Sequence, residues 1–315
     1  MLDPSVRSIG ADCIIELPTE NDAAPSAIQE GPTWGIDRID SRVGLDNQYD
    51  DSGITGSGAI VYVLDTGVRI THSEFGGRAE PGAGWVRDGV VTDANTCHWH
   101  GTHCASTVGG IELGVAKQVT IVTVQVLSCA GAGSTSGADP RGIEWVVADV
   151  QRREAELDAH VPAIISMSLG GGGGGRFDEV INWAYAQGVV SVVAAGNNNA
   201  DACNYSPAST PLAITVGSTT RTDERSSFSN HGSCVDLFAP GSSVDGACTT
   251  SDSCTRAASG TSMACPHVAG VASQVWAAHP YFTPAELAAA IDCLATADVI
   301  DDMPADTANR LLYNG

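Results

Sequence analysis

Ser259-Gly260-Thr261-Ser262-Met263-Ala264-Cys265-Pro266-His267 runs on into Val268-Ala269-Gly270-Val271-Ala272, and its proline decides how this stretch folds. Proline lacks an N–H and its ring clashes with the preceding turn, so Pro266 cannot lie deep in a helix. A helix carrying the apolar run therefore starts within about one turn before Pro266, close to Ser262. That places a hydroxyl at a helix N-terminus, where free backbone N–H groups and the dipole favour negative charge. Gly260 and Ala264 leave room for another molecule beside that oxygen. A serine before an apolar run can equally be a plain N-cap, so the rest of the chain has to supply a reason to read more into it.

Working outward, apolar runs rich in Val and Ile recur at Ala59–Leu64, Val119–Leu127, Ala163–Met167, Val189–Ala195 and Leu212–Val216. They are continuous rather than alternating, as expected of strands covered on both faces. Amphipathic segments at about 139–157 (Ile143, Val146, Val147 and Val150 on one side) and 177–187 (Val180, Ile181, Ala184) read as helices between them. This alternation predicts an α/β fold, a mainly parallel twisted sheet with helices on both faces. Ligands of such sheets gather at the carboxyl ends of the strands. Here those ends carry Asp65-Thr66-Gly67, Ser168-Leu169-Gly170 and Gly196-Asn197. Residues 1–18 form a short apolar segment, and 19–32 (TENDAAPSAIQEGP) have the polar, proline-containing composition of a linker.

Composition narrows the function classes. Of 315 residues, 43% are hydrophobic and 17% charged, and the net charge is −22. No apolar stretch approaches the ~18 residues a membrane span needs. The acidity argues against nucleic acid and anionic membranes as partners. Ten cysteines predict disulfides formed outside the cytosol. The opening Met1-Leu2-Asp3-Pro4 has no secretory-signal pattern, which suggests a start inside a longer precursor.

A serine hydroxyl becomes a nucleophile only when a base takes its proton, and that base needs a third group to orient it. His98-Trp99-His100-Gly101-Thr102-His103-Cys104 supplies a candidate base in His100, and Asp65, after an apolar strand, a partly buried acceptor for its Nδ1–H. Asn197 offers a side-chain N–H to an oxyanion. Singly, each has a bland explanation: a turn acid, an N-cap neighbour, a loop amide. Together, each at an element boundary, they form a constellation.

Ala59–Gly67, His100-Gly101-Thr102-His103, Ala194-Ala195-Gly196-Asn197 and Gly260–Ala264 resemble the subtilase serine proteases, in the proteinase K branch and nearest to aqualysin-type enzymes. The likeness runs from about residue 27 to the end. It implies a subtilisin-like fold and a secreted serine endopeptidase working through an acyl-enzyme. The implied triad is Asp65, His100 and Ser262, with Asn197 in the oxyanion hole and His103 a non-catalytic histidine. Gly131, Ala132 and Gly133, and Ser168, Leu169 and Gly170, match strands that pair with the substrate backbone, with broad specificity and a large apolar or aromatic P1 residue expected. Trp99 stands where a small residue is usual, so a narrowed S2 region is expected, and Cys265 replaces a common threonine.

The resemblance further implies disulfides Cys97–Cys129 and Cys203–Cys234, with Cys104 as a buried free thiol. Cys248 and Cys254 could close a small loop; partners for Cys13, Cys265 and Cys293 stay open. A structural calcium is implied at Asp236 with the carbonyls of Pro211 and Ala213, and a second at Asp37 and Asp40. Residues 1–26 resemble the end of an inhibitor-type propeptide plus linker, with self-cleavage near Ser26–Ala27 and a catalytic domain over 27–315. The implied partners are polypeptide substrates and the chain's own propeptide, acting as inhibitor and folding aid; a monomer is expected. Three rivals were weighed. A catalytically dead subtilase has no triad substitution in its favour. A lipase-like hydrolase lacks the G-x-S-x-G elbow. A zinc module at Cys97, His98, His100, His103 and Cys104 lacks a recognised ligand spacing.

Overall fold

The computed structural model describes residues 28–85, 98–131 and 138–315. The expected propeptide remnant over 1–26, Ala27, Ala132, Gly133, Cys13 and Cys97 lie outside these residues. In chain order, β1 (Gln29–Glu30) and β2 (Gln48–Tyr49) pair antiparallel on either side of helix α1 (Trp34–Ile39). Then come β3 (Ile60–Asp65), β4 (Ala79–Gly84), α2 (His100–Gly109), β5 (Thr120–Gln125), α3 (Ala138–Leu157) and β6 (Ala163–Met167). They are followed by β7 (Gly171–Gly172), α4 (Asp178–Ala186), β8 (Val190–Ala194), β9 (Tyr205–Ser206), β10 (Ile214–Thr219) and β11 (Leu237–Pro240). The hairpin β12 (Val244–Ala247) and β13 (Thr255–Ala258) leads into α5 (Thr261–Ala278). Helix α6 (Pro284–Leu294), β14 (Thr296–Ala297) and β15 (Arg310–Leu311) end the chain.

Nine strands form one sheet in the order β14-β15-β11-β10-β8-β6-β3-β5-β4, parallel except for the β14–β15 pair. From β3 the chain first fills one side with β5 and β4, then the other with β6, β8, β10 and β11. The reversal between β3 and β6 opens a crevice at their carboxyl ends.

Strand periodicity divides the core in two. Val61, Val63, Ile121, Ile164, Val192 and Val216 face α1, α2, α5 and α6. Their alternates Tyr62, Leu64, Val122, Ile165, Met167 and Val193 face α3 and α4 through Ile143, Val146, Val150 and Ile181. Every residue of β3 is buried, so both faces must be apolar and the run is continuous. Two strands escape the sequence pattern for a physical reason. β4 (AEPGAG) is an edge strand carrying proline and two glycines, with a register shift between Pro81 and Ala83. β11 is four residues long and closes on Pro240.

Helix α5 starts at Thr261, five residues before Pro266. The missing N–H of Pro266 releases the carbonyl of Ser262 one turn earlier. That oxygen accepts instead from Ser168 Oγ at 2.8 Å and from the Cys104 thiol at 3.3 Å. The proline thus frees an acceptor that ties α5 to β6 and α2.

Cys203–Cys234 and Cys248–Cys254 are bonded. Cys129 and Cys293 are also disulfide-bonded, whereas Cys104 and Cys265 are buried free thiols. Among the described residues no helix is long and apolar enough to cross a membrane. Ile164 is fully buried in the centre of the sheet. Ile164→Ala should lower stability by about 2–5 kcal/mol and Ile164→Val by about 0.5–1.5 kcal/mol, measured by thermal unfolding in a Ser262→Ala background.

Candidate active site

Asp65 ends β3 and is fully buried. Its Oδ2 and Oδ1 lie 2.8 and 2.9 Å from Nδ1 of His100, the first residue of α2. The backbone N–H of Thr66 donates to Oδ1 at 2.6 Å, and Thr66 Oγ1 accepts from the N–H of Gly101 at 3.0 Å. A carboxylate can only accept, so Nδ1 carries the proton and Nε2 is left as a lone-pair base. A Cβ at position 101 would collide with the carbonyl of Gly67, so glycine there lets α2 close onto the Asp65 loop. Burial works against the His100 cation, but the Asp65 carboxylate outweighs it and holds the pKa well above 6.5.

Ser262 is the second residue of α5 and sits with His100 on one cleft of about 720 Å³. Its hydroxyl donates to the carbonyl of Ser168 at 3.2 Å. Rotation about the side-chain bond, between staggered wells, would release it from that carbonyl. Asn197, just past β8, accepts from the N–H of Thr261 at 2.8 Å and from Thr261 Oγ1 at 3.0 Å through Oδ1. That orients the amide so that its Nδ2 remains available as a donor beside the first N–H groups of α5. Gly196 before it holds φ +102°, and a Cβ there would strike Asn230.

The cleft is lined by Gly131, Ser168, Leu169 and Gly170, all singled out from the sequence. It is also lined by residues the sequence reading passed over, among them Gly171, Gly172, Arg176, Phe177 and Tyr205. Gly171 and Gly172 form the short strand β7 and Tyr205 begins β9, two-residue strands too short to show a period. Trp99 does not line the cleft; His98 does, with Nδ1 accepting from the N–H of His100 at 3.3 Å. His103 turns Nε2 to the carbonyl of Val244 at 3.1 Å, and burial pushes its pKa down to about 4.

Two acidic sites lie elsewhere. Asp236, Pro211 and Ala213 line a cavity of about 170 Å³ together with Asp292, which the sequence reading missed. Asp236 Oδ2 accepts from the N–H of Thr215 at 2.7 Å, yet burial, aided by Asp292, raises its pKa to about 6. Asp37, Asp40 and Asp46 bring one carboxylate oxygen each within 4.8 Å of one another. Asp40 Oδ1 is buried with no partner, and burial pushes the Asp40 pKa up to about 7. Carboxylates that crowd together form a hard-oxygen donor set that fits calcium, and Asp292 is shared with Arg310 at 3.0 Å. Asp46 was legible only as one more loop acid.

Residues 56–309 match the subtilase peptidase family. The chain belongs to that family. It is 45% identical over 313 residues to an "Extracellular serine proteinase" of Thermus sp. (strain Rt41A), covering 99% of this chain and 71% of that one. It is also 45% identical to "Alkaline serine exoprotease A" of Vibrio alginolyticus, with 99% of this chain covered but only 55% of the relative's length spanned. The crystal structure of a cold adapted subtilisin-like serine proteinase superposes with a TM-score of 0.83 at 45% identity, covering 91% of this chain and 99% of that one. The subtilase fold is the one described above, with the strand ends of β3, β6 and β8 gathered at one rim.

A raised pKa means that His100 stays protonated beyond the ordinary range and becomes a base only at higher pH. In Ser262→Ala protein, the His100 ring should titrate above pH 6.5. Asp65→Asn should bring that titration down, since burial is then left unopposed; NMR of the imidazole carbons reads both values.

Proposed function

We propose that this subtilase is a secreted serine endopeptidase in which Asp65, His100 and Ser262 form the triad. The observation that carries the reading is the Asp65 carboxylate bonded to His100 Nδ1, with His100 and Ser262 on the same cleft. As Ser262 Oγ attacks the scissile carbonyl, His100 Nε2 takes its proton, and Asp65 stabilises the imidazolium. The oxyanion falls between Asn197 Nδ2 and the N–H of Ser262, where donors are already oriented. His100 then protonates the departing amine, and water, activated by the same imidazole, releases the acyl group from Ser262.

Backbone edges at Gly131 and at Ser168–Gly170 would flank the substrate and pair with its main chain, which asks little of its side chains. Leu169, Gly170, Ala194, Ala195 and Ala208 are apolar or small, leaving space for a large apolar P1 group. In the same reading residues 1–26 are the end of a propeptide that inhibits and helps to fold residues 27–315. Secretion is supported by the naming of the Thermus relative as extracellular.

Calcium is proposed at two places: Asp236 with the carbonyls of Pro211 and Ala213, and Asp37 with Asp40 and Asp46. Its part is structural, offsetting the repulsion between neighbouring carboxylates. Saturating each site at about 100 times its Kd contributes roughly 2.7 kcal/mol. Chelation should therefore lower the melting temperature by about 4 °C per site, with calcium restoring it. An unchanged transition in chelator counts against both sites.

Hydrolysis of an unfolded protein should fall by more than about 10³-fold in Ser262→Ala, and a serine-directed organophosphate should label wild type alone. Mass spectrometry of early products separates internal cuts, expected here, from the terminal trimming that the name of the Vibrio relative suggests for that enzyme. Undiminished cleavage by Ser262→Ala overturns the assignment.

A further inference from the structure

Trp99 is enclosed on several sides. The His98 ring stacks on it at 5.5 Å and 26°, while His100 and His103 meet it nearly edge to face at 5.5 and 5.8 Å. The guanidinium of Arg256 lies over the indole, 3.8 Å from the ring centroid. Arg256 belongs to β13, the strand that leads through Ser259 and Gly260 into α5 and Ser262. A cation carried on the approach to the serine therefore grips the residue next to the histidine.

The backbones of these two regions are tied by other contacts. Ser106 Oγ accepts from the N–H of Ala247 at 2.8 Å, and His103 reaches Val244. Those contacts fix α2 against the β12–β13 hairpin but do not touch the His100 ring. Asp65 holds that ring at one nitrogen only, leaving its tilt about the bond undefined. An indole packed on the imidazole removes this freedom, and reacting groups lose rate steeply when displaced by about 0.5 Å.

We propose that Trp99, clasped beneath Arg256, is a positioning residue that sets the His100 imidazole against Ser262. Trp99 lies outside the cleft lining, so it acts through His100 and not on the substrate. The inference rests on the triad reading given above. It also carries a sign for pH. The groups around the His100 ring are Asp65 from β3, Cys104 and His103 on α2, His98 before it and Ser262 on α5, with Arg256 of β13 beyond the indole. Removing the indole admits water, and removing Arg256 removes a nearby cation. Both changes favour the imidazolium and move the acid limb of activity to higher pH.

The test compares Trp99→Gly, Trp99→Phe and Arg256→Gln with wild type on one peptide amide, with active sites counted by a serine-directed organophosphate. Wild type that does not react with the reagent defeats the triad reading itself. With reactive wild type, Trp99→Gly should lose about 10–100-fold in kcat, with KM within about twofold and the acid limb displaced upward. Arg256→Gln should lose about threefold in the same manner, and Trp99→Phe should recover most of the rate. Arg256 is exposed, so its variant keeps the test open if Trp99→Gly does not fold. Per-site kcat and pH limbs equal to wild type in Trp99→Gly, or in Arg256→Gln where Trp99→Gly does not fold, or a loss confined to KM, overturn the proposal.

Discussion

A carboxylate buried at the end of the central strand is the constraint on which this active centre is built. Asp65 is wholly removed from water, and a bare anion there would be strongly disfavoured. It is tolerated because the Thr66 N–H and the His100 ring both donate to it. The imidazole is therefore bound in one tautomer, with its basic nitrogen left free. Glycine at 101 follows from the same demand, since the helix bearing the histidine must press against the carbonyl of Gly67 in the turn after the strand.

The second half of the centre depends on a defect. Pro266 deprives Ser262 of the backbone partner its carbonyl would have in an unbroken helix, and Ser168 and Cys104 replace that partner. The substitution stitches three segments from distant parts of the chain at the point where the serine is displayed. Thr261 does the same on the other side, donating to Asn197 and accepting from Gly196. Orientation of the nucleophile and of the amide donor is in this way shared between elements rather than owned by one.

Charge is handled differently at the periphery. Acidic residues outnumber basic ones by 37 to 15, and some crowd together, as at Asp236 with Asp292, which also pairs with Arg310, and at Asp40 with Asp37 and Asp46. The Tyr62–Asp149 contact shows the alternative, in which Arg152 and Arg153 supply the missing positive charge. With Lys117 the only lysine among fifteen basic residues, a divalent cation is the economical counter-charge for the former group.

What the residues declared by themselves was local and periodic. Continuous Val/Ile runs located β3, β5, β6, β8 and β10, amphipathic spacing located α3 and α4, and Pro266 placed the start of α5 about one turn before it, close to Ser262. Short motifs marked Asp65, His100, Asn197 and Ser262, because turns and helix starts constrain residue type strongly. Edge strand β4 escaped, since proline and glycine erase periodicity. Asp46, Asp292, Arg176 and Tyr205 escaped because their roles come from neighbours remote in sequence. The placing of Trp99 away from the cleft and under Arg256 was likewise invisible: its surroundings are set by how a hairpin packs on a helix. Packing between distant segments has no period and no spacing, so only the folded chain could decide it.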